Sequence, residues 1–223
     1  MKKREYETYE NYLSHQMEKT LDPTRRRLLI ENFEARASHF EARFRTLREY
    51  IKTNLTQDTL RPGALALCLG ARIGEEVAAL KNLGMQAIGV DLVPHPPLVE
   101  AGDFNNLKYE DSTFELVFSN AIDHTNDIKK FLYEVERVLT DGGYFILDTW
   151  PGAYGKYEAV EILDPYKDIL PDRPTGLEFK GHLVLITHDQ STGVRSHYDY
   201  RDGMTLLFEA KKETNEYAKR VGI

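Results

Sequence analysis

Ala64-Leu65-Ala66-Leu67-Cys68-Leu69-Gly70-Ala71-Arg72-Ile73-Gly74-Glu75-Glu76 is the stretch that decides the fold. Pro62-Gly63 turns the chain, and six apolar residues then follow without interruption. A strand buried on both faces of a parallel sheet reads this way. Glycines at 70 and 74 end the run. Ile73, Val77 and Leu80 then mark one face of a helix, and Gly84 stands where a left-handed C-cap is favoured. A Cβ at such a turn would keep a ligand off the backbone. The helix start offers N–H groups and a partial positive charge that suit a carboxylate or phosphate. The turn alone is not specific, because many α/β proteins bind nothing there.

The alternation continues outward. Ala87-Ile88-Gly89-Val90 reads as a second buried strand and Phe114-Glu115-Leu116-Val117-Phe118 as another. Ile128, Phe131, Leu132, Val135, Val138 and Leu139 line one side of a helix. Asp141-Gly142-Gly143 turns the chain into a further strand, Tyr144-Phe145-Ile146-Leu147. Strands alternating with helices mean a parallel sheet with right-handed crossovers. The last third differs. Leu183-Val184-Leu185-Ile186 and Met204-Thr205-Leu206-Leu207-Phe208 read as strands with no convincing helix between them. The expected fold is α/β: a Rossmann-like, doubly wound, mostly parallel sheet with an antiparallel C-terminal strand pair and an N-terminal helical extension.

Residues 1–60 are expected to form that extension, packed on a core domain of residues 61–223. Tyr6, Tyr9, Leu13 and Met17 share one face of a short helix. Asp22 can cap a second, longer helix with Pro23 in its first turn, and Leu29, Phe33, Phe40, Phe44, Leu47 and Ile51 recur along it at helical steps. Such a stripe reads first as packing against the main domain, and second as a lid over a substrate.

The 223 residues carry a net charge of -7, which disfavours bulk nucleic acid as a partner. One cysteine, Cys68, excludes an intrachain disulfide framework and a cysteine-based zinc site. No apolar run approaches the roughly 20 residues of a membrane span, and the charged N-terminus lacks a secretory pattern. The expectation is a soluble cytoplasmic protein. The histidines show no metal-ligand spacing, so no metal is expected.

Asp91 ends the second strand, 17 residues after Gly74, where an acid can accept both hydroxyls of a ribose. Gly102-Asp103-Phe104 follows, then Asp111-Ser112-Thr113-Phe114-Glu115-Leu116-Val117-Phe118-Ser119-Asn120, and later Glu136-Arg137-Val138-Leu139-Thr140-Asp141-Gly142-Gly143. Over residues 61 to 150 this succession resembles the class I S-adenosylmethionine-dependent methyltransferases, in particular their type 11 branch. The resemblance implies S-adenosylmethionine as cofactor and S-adenosylhomocysteine as product. It places Gly70, Ala71, Arg72 and Gly74 at the methionine end, and Asp91 on the ribose hydroxyls with Leu92 beside the adenine. Asp103 and Phe104 then meet the adenine edge, and Asn120 lies below the sulfonium. Three departures stand out. Cys68 replaces an acid and Arg72 a glycine, while Pro94, Pro96 and Pro97 prevent a helix between Asp91 and Asp103. Arg72 could crowd the site, and could equally turn outward or pair with the cofactor carboxylate.

Methyl transfer from a sulfonium depends chiefly on alignment and exclusion of water. A hydroxyl acceptor also needs a base, and Asp123 with His124, just past the fourth strand, are the candidates. The competing reading has His124 merely capping the loop. The expected acceptor is a small molecule or a saccharide. Two other functions remain open at this level: a degenerate methyltransferase fold serving as a binding subunit, and a nicotinamide-dependent oxidoreductase. The second lacks its glycine pattern, because Arg72 and Glu75 occupy two of the glycine positions.

Overall fold

The computed structural model describes residues 2–55, 58–185 and 203–212. In chain order these are β1 (Lys2–Lys3), α1 (Tyr9–Leu21), α2 (Pro23–Glu31), α3 (Phe33–Asn54), β2 (Leu65–Leu69), α4 (Glu75–Asn82), β3 (Gln86–Asp91), β4 (Val99–Ala101), β5 (Phe114–Ser119), α5 (Ile128–Val138), β6 (Leu139–Thr149), β7 (Val160–Glu161), α6 (Pro165–Asp168), β8 (Leu177–Leu185) and β9 (Gly203–Ala210). One sheet carries seven strands in the order β4-β3-β2-β5-β6-β9-β8. The strands from β4 to β6 are parallel, while β9 runs antiparallel to both β6 and β8. The α/β architecture and the closing antiparallel pair are those read from the sequence. Ile186 and the segment joining the pair lie outside the described residues.

The chain runs from β2 outward to β4 and then returns to place β5 on the other side of β2. That reversal opens a crevice at the carboxyl ends of β2 and β5, where ligands of open α/β sheets collect. Strand alternation divides the core into two layers. Leu67, Leu69, Val117, Phe145 and Leu147 face Phe131, Leu132, Val135 and Val138 of α5. Ala66, Cys68, Leu116, Phe118 and Ile146 face Phe40, Phe44, Leu47 and Ile51 of α3, together with Val77 and Leu80 of α4. The Phe118 ring stands edge-on to Phe44, with centroids 5.1 Å apart. From α3, Arg43 also reaches Asp148 of β6, which is buried, and Thr205 of β9. The α3 helix is thus one layer of the core.

The structure corrects the sequence reading in three places. The inward face of α1 carries Tyr12, Gln16 and Thr20 and not the stripe through Tyr9. Its neighbours are loop carbonyls, so polar groups turn inward. The long helix expected after Asp22 divides at Asn32, whose side chain donates to the Leu28 carbonyl, although Asp22 does cap the first piece. Its first part, α2, buries no residue, so no packing holds the two pieces in line. Leu139 opens β6, pairing with Phe114, and Gly142 at φ 72° lies at a register shift within the strand. The proline-rich segment forms no helix, as its composition predicts. Among the described residues no helix is long and apolar enough to cross a membrane.

Candidate active site

The turn after β2 is built by close approach. Gly70 at φ 72° and Gly74 at φ 89° hold left-handed conformations, and a Cβ on Gly70 would lie 2.5 Å from the Ala121 Cβ. Phe104 approaches the same point, so the ends of β2 and β5 and the segment after β4 converge on this glycine. The Gly70 and Ala71 N–H groups both donate to the Val90 carbonyl, at 2.9 and 3.2 Å. Gly70→Ala is expected to cost about 2 kcal/mol through overpacking and backbone strain, which thermal unfolding would detect. An unchanged melting temperature would mean that the three segments separate freely.

Asp91 stands beside this turn. Its Oδ2 accepts from the Arg72 N–H at 3.0 Å and its Oδ1 from the Val93 N–H at 2.9 Å. Each oxygen keeps a further lone pair. Burial raises its pKa, against the pull of those two amides. Ala101 pairs with Asp91 across the sheet, and the Gly102 N–H donates to the Asp91 carbonyl at 2.9 Å. Asp103 therefore follows at the same sheet edge. Its Oδ1 accepts from the Asn105 N–H at 2.8 Å, and its Oδ2 from the Tyr9 hydroxyl of α1. Phe104 packs edge-on against Phe131. Leu92 and Asn120 are half-buried at the ends of β3 and β5.

At the methionine end, Arg72 is itself left-handed at φ 49°. Its guanidinium leans toward Glu75, at 4.0 Å, and Arg36 of α3 meets the same carboxylate at 2.6 Å. Glu76 is also buried, and neither carboxyl oxygen has a partner among the described residues beyond its own main-chain amide. Burial and then the charge of Glu75 raise its pKa. One structural ground fits the turn to a ligand with a cationic aminoacyl tail: an orphaned buried carboxyl directly beyond it.

Past β5, Asp123 and His124 lie in a single helical turn. His124 Nδ1 faces two acceptors, Gln16 Oε1 at 3.0 Å and the Tyr157 carbonyl at 3.2 Å. Gln16 Nε2 in turn donates to that carbonyl, which fixes the amide's orientation. The imidazole proton is accordingly assigned to Nδ1, leaving the Nε2 lone pair toward the Lys19 amine. Burial lowers Lys19 to about 8. Burial, then the Lys19 charge, holds His124 below its ordinary range, and burial lifts Asp123 to about 6. Tyr12 donates to the His124 carbonyl at 3.0 Å.

Side-chain atoms of Asp123, His124 and Glu158 lie within 4.8 Å of one another, near enough to share a cation. The Lys19 ammonium supplies that charge within reach of all three. Sequence reasoning missed Tyr9, Tyr12, Gln16, Lys19 and Glu158. Its only available signal for α1 was polar residues at four-residue spacing, Tyr12, Gln16 and Thr20, on a helix read by its apolar stripe.

Strand order, crevice and glycine turn together define the class I, Rossmann-like methyltransferase fold. Residues 67–147 match the family described as methyltransferase domain. The chain is similar over nearly its whole length to the Burkholderia thailandensis 1,6-didemethyltoxoflavin-N1-methyltransferase, solved with bound 1,6-didemethyltoxoflavin and S-adenosylhomocysteine. That likeness has a TM-score of 0.65 at 14% identity and covers 94% of this chain and 93% of the other. A putative sarcosine dimethylglycine methyltransferase from Galdieria sulphuraria is similar at TM-score 0.52 and 16% identity, over 83% and 88%. A chain from the complex of the Haloferax volcanii Trm112 methyltransferase activator with a putative methyltransferase gives 0.54 and 16%, over 81% and 98%. At these identities the likeness is one of fold. No curated protein matches the chain. The match over residues 67–147 together with the class I fold supports an S-adenosylmethionine-dependent methyltransferase.

Proposed function

We propose that the protein methylates a hydroxyl or amino group of a small-molecule or saccharide-type acceptor, with His124 receiving the acceptor's proton. The observation that carries this reading is the Nε2 lone pair of His124, held at the rim of the crevice by Gln16 and Tyr157. Asp91 would hold the ribose hydroxyls, with Leu92 beside the adenine. Asp103 and Phe104 would meet the base, while the turn at Gly70, Ala71, Arg72 and Gly74 receives the methionine tail with Asn120 below the sulfonium. S-adenosylmethionine supplies the electrophilic methyl group.

With the Lys19 ammonium at Nε2, His124 is a weak base. An acceptor hydroxyl that displaces Lys19 removes that charge and takes over the lone pair. His124 Nε2 would then accept the hydroxyl proton as the acceptor takes the methyl group that the cofactor would supply. Asp123 and Glu158 stand near the imidazolium that forms. The α1 helix crosses this site through Tyr9, Tyr12, Gln16 and Lys19, an arrangement that favours a small acceptor over a polymer. The bound 1,6-didemethyltoxoflavin of the Burkholderia thailandensis relative is a small molecule as well.

Labelled S-adenosylmethionine incubated with fractionated cell extract tests this reading. Label is expected in a low-molecular-mass or glycan fraction, and His124→Asn is expected to reduce it about 10²-fold while S-adenosylhomocysteine affinity stays unchanged. Label confined to protein or nucleic acid, or an undiminished His124→Asn rate, would overturn it.

A further inference from the structure

We infer that Glu76 receives the ammonium of the cofactor's methionine tail, in place of the acid that the end of β2 lacks. Glu76 is the second residue of α4, directly beyond the glycine turn, and it is 1% exposed. Its two oxygens are without partners among the described residues, apart from the approach of its own amide. Four groups face it: Glu75 on its own helix, Arg72 in the turn, Arg36 from α3 and Cys68 from β2. Both guanidinium groups are directed at Glu75, which leaves Glu76 with no cation of its own. Cys68 lies close enough for the Glu76 charge to help raise its thiol. The carboxyl thus stands behind the position on β2 where an acid is missing.

A buried, unpaired carboxylate is unfavourable unless it stays neutral or meets a cation. Burial and then the charge of Glu75 favour the neutral form of Glu76 in the free protein. An arriving ammonium reverses the preference: the carboxyl ionises, accepts the N–H bonds, and its proton leaves to solvent. The ligand-bound state then holds fewer protons than the free one. Affinity for a ligand bearing the amine must therefore rise with pH until the free carboxyl itself ionises.

The inference rests on S-adenosylmethionine as cofactor and is separable from it. Calorimetry would compare S-adenosylhomocysteine with the analogue whose amino group is replaced by hydrogen, in buffers of different ionisation enthalpy. The wild-type protein is expected to release a proton on binding the first ligand and none on binding the second. Glu76→Gln, nearly isosteric, is expected to weaken S-adenosylhomocysteine about 10–100-fold, to leave the analogue's affinity unchanged and to abolish proton release. Equal loss for both ligands, or no loss, would reduce Glu76 to shaping the turn and overturn the inference. Should the variant fail to fold, the wild-type pH profiles decide: affinity rising with pH only for the amine-bearing ligand supports Glu76, and parallel profiles refute it. Wild-type protein that binds neither ligand would instead remove the cofactor itself.

Discussion

Arg137→Ala is expected to destabilise the protein by about 3–5 kcal/mol, lowering the thermal midpoint by about 10 °C. Arg137 uses its planar fork fully. Nε and Nη2 each meet Glu134 at 2.9 Å, Nη1 meets Asp111 at 2.8 Å and the Tyr109 carbonyl at 2.7 Å, and Nη2 also reaches the Leu107 carbonyl at 3.0 Å. Truncation leaves Glu134, 8% exposed, with an uncompensated charge and strips two loop carbonyls of their donor. Arg137→Lys should recover little, because an ammonium cannot reproduce the bidentate contact. The deficit should also depend on pH. Burial pushes Glu134 upward, but the bonds from Arg137 and the Leu107 N–H outweigh it and hold the carboxyl below its ordinary range. A depressed acid contributes stability above its unfolded pKa and loses it as pH falls through the folded one. The gap between wild type and Arg137→Ala should therefore narrow in acid. A gap independent of pH would show that the pair is not the origin of the effect.

The same network explains a sequence motif that fold class alone leaves arbitrary. Arg137 sits near the end of α5, yet it fastens residues 107–111, the strap that follows Asp103 and Phe104. A helix-terminal arginine thus fixes the strap that continues from the segment proposed to meet the adenine. The core of the fold was legible for a physical reason. Continuous apolar runs such as Ala64–Leu69, bounded by turn residues, suit strands covered on both sides, and glycines at 70, 74 and 84 occupy φ values that other residues resist. Gly84 does end α4 in the left-handed region, at φ 87°. What escaped was α1. Helical periodicity detects apolar faces, and this helix turns Tyr12, Gln16 and Lys19 toward loop carbonyls and titratable groups more than a hundred residues away in sequence. No local pattern encodes such partners. Cys68 was legible as a departure, but its counterpart Glu76 was not, because only packing shows that the carboxyl lacks a partner.

Asp91→Ala is expected to weaken S-adenosylhomocysteine about 10²–10³-fold. The proposed interaction is a carboxylate accepting both ribose hydroxyls, and each hydrogen bond to a charged group is worth roughly 1.5–3 kcal/mol. The residue also organises the protein before any ligand arrives, since its oxygens hold the Arg72 and Val93 amides just beyond the ends of β2 and β3. Loss of affinity alone would confound these two roles. A second ligand separates them: S-adenosylhomocysteine lacking the ribose 2′-hydroxyl. Against wild type the missing hydroxyl should cost an appreciable part of the affinity, whereas against Asp91→Ala it should cost almost nothing, because its partner is already gone. If the two ligands differ equally in both proteins, Asp91 never touches that hydroxyl, and its carboxylate serves only to pin the glycine turn against the end of β3. Such a result would leave the fold untouched while moving the sugar away from the strand end where a carboxylate with one free lone pair on each oxygen awaits it.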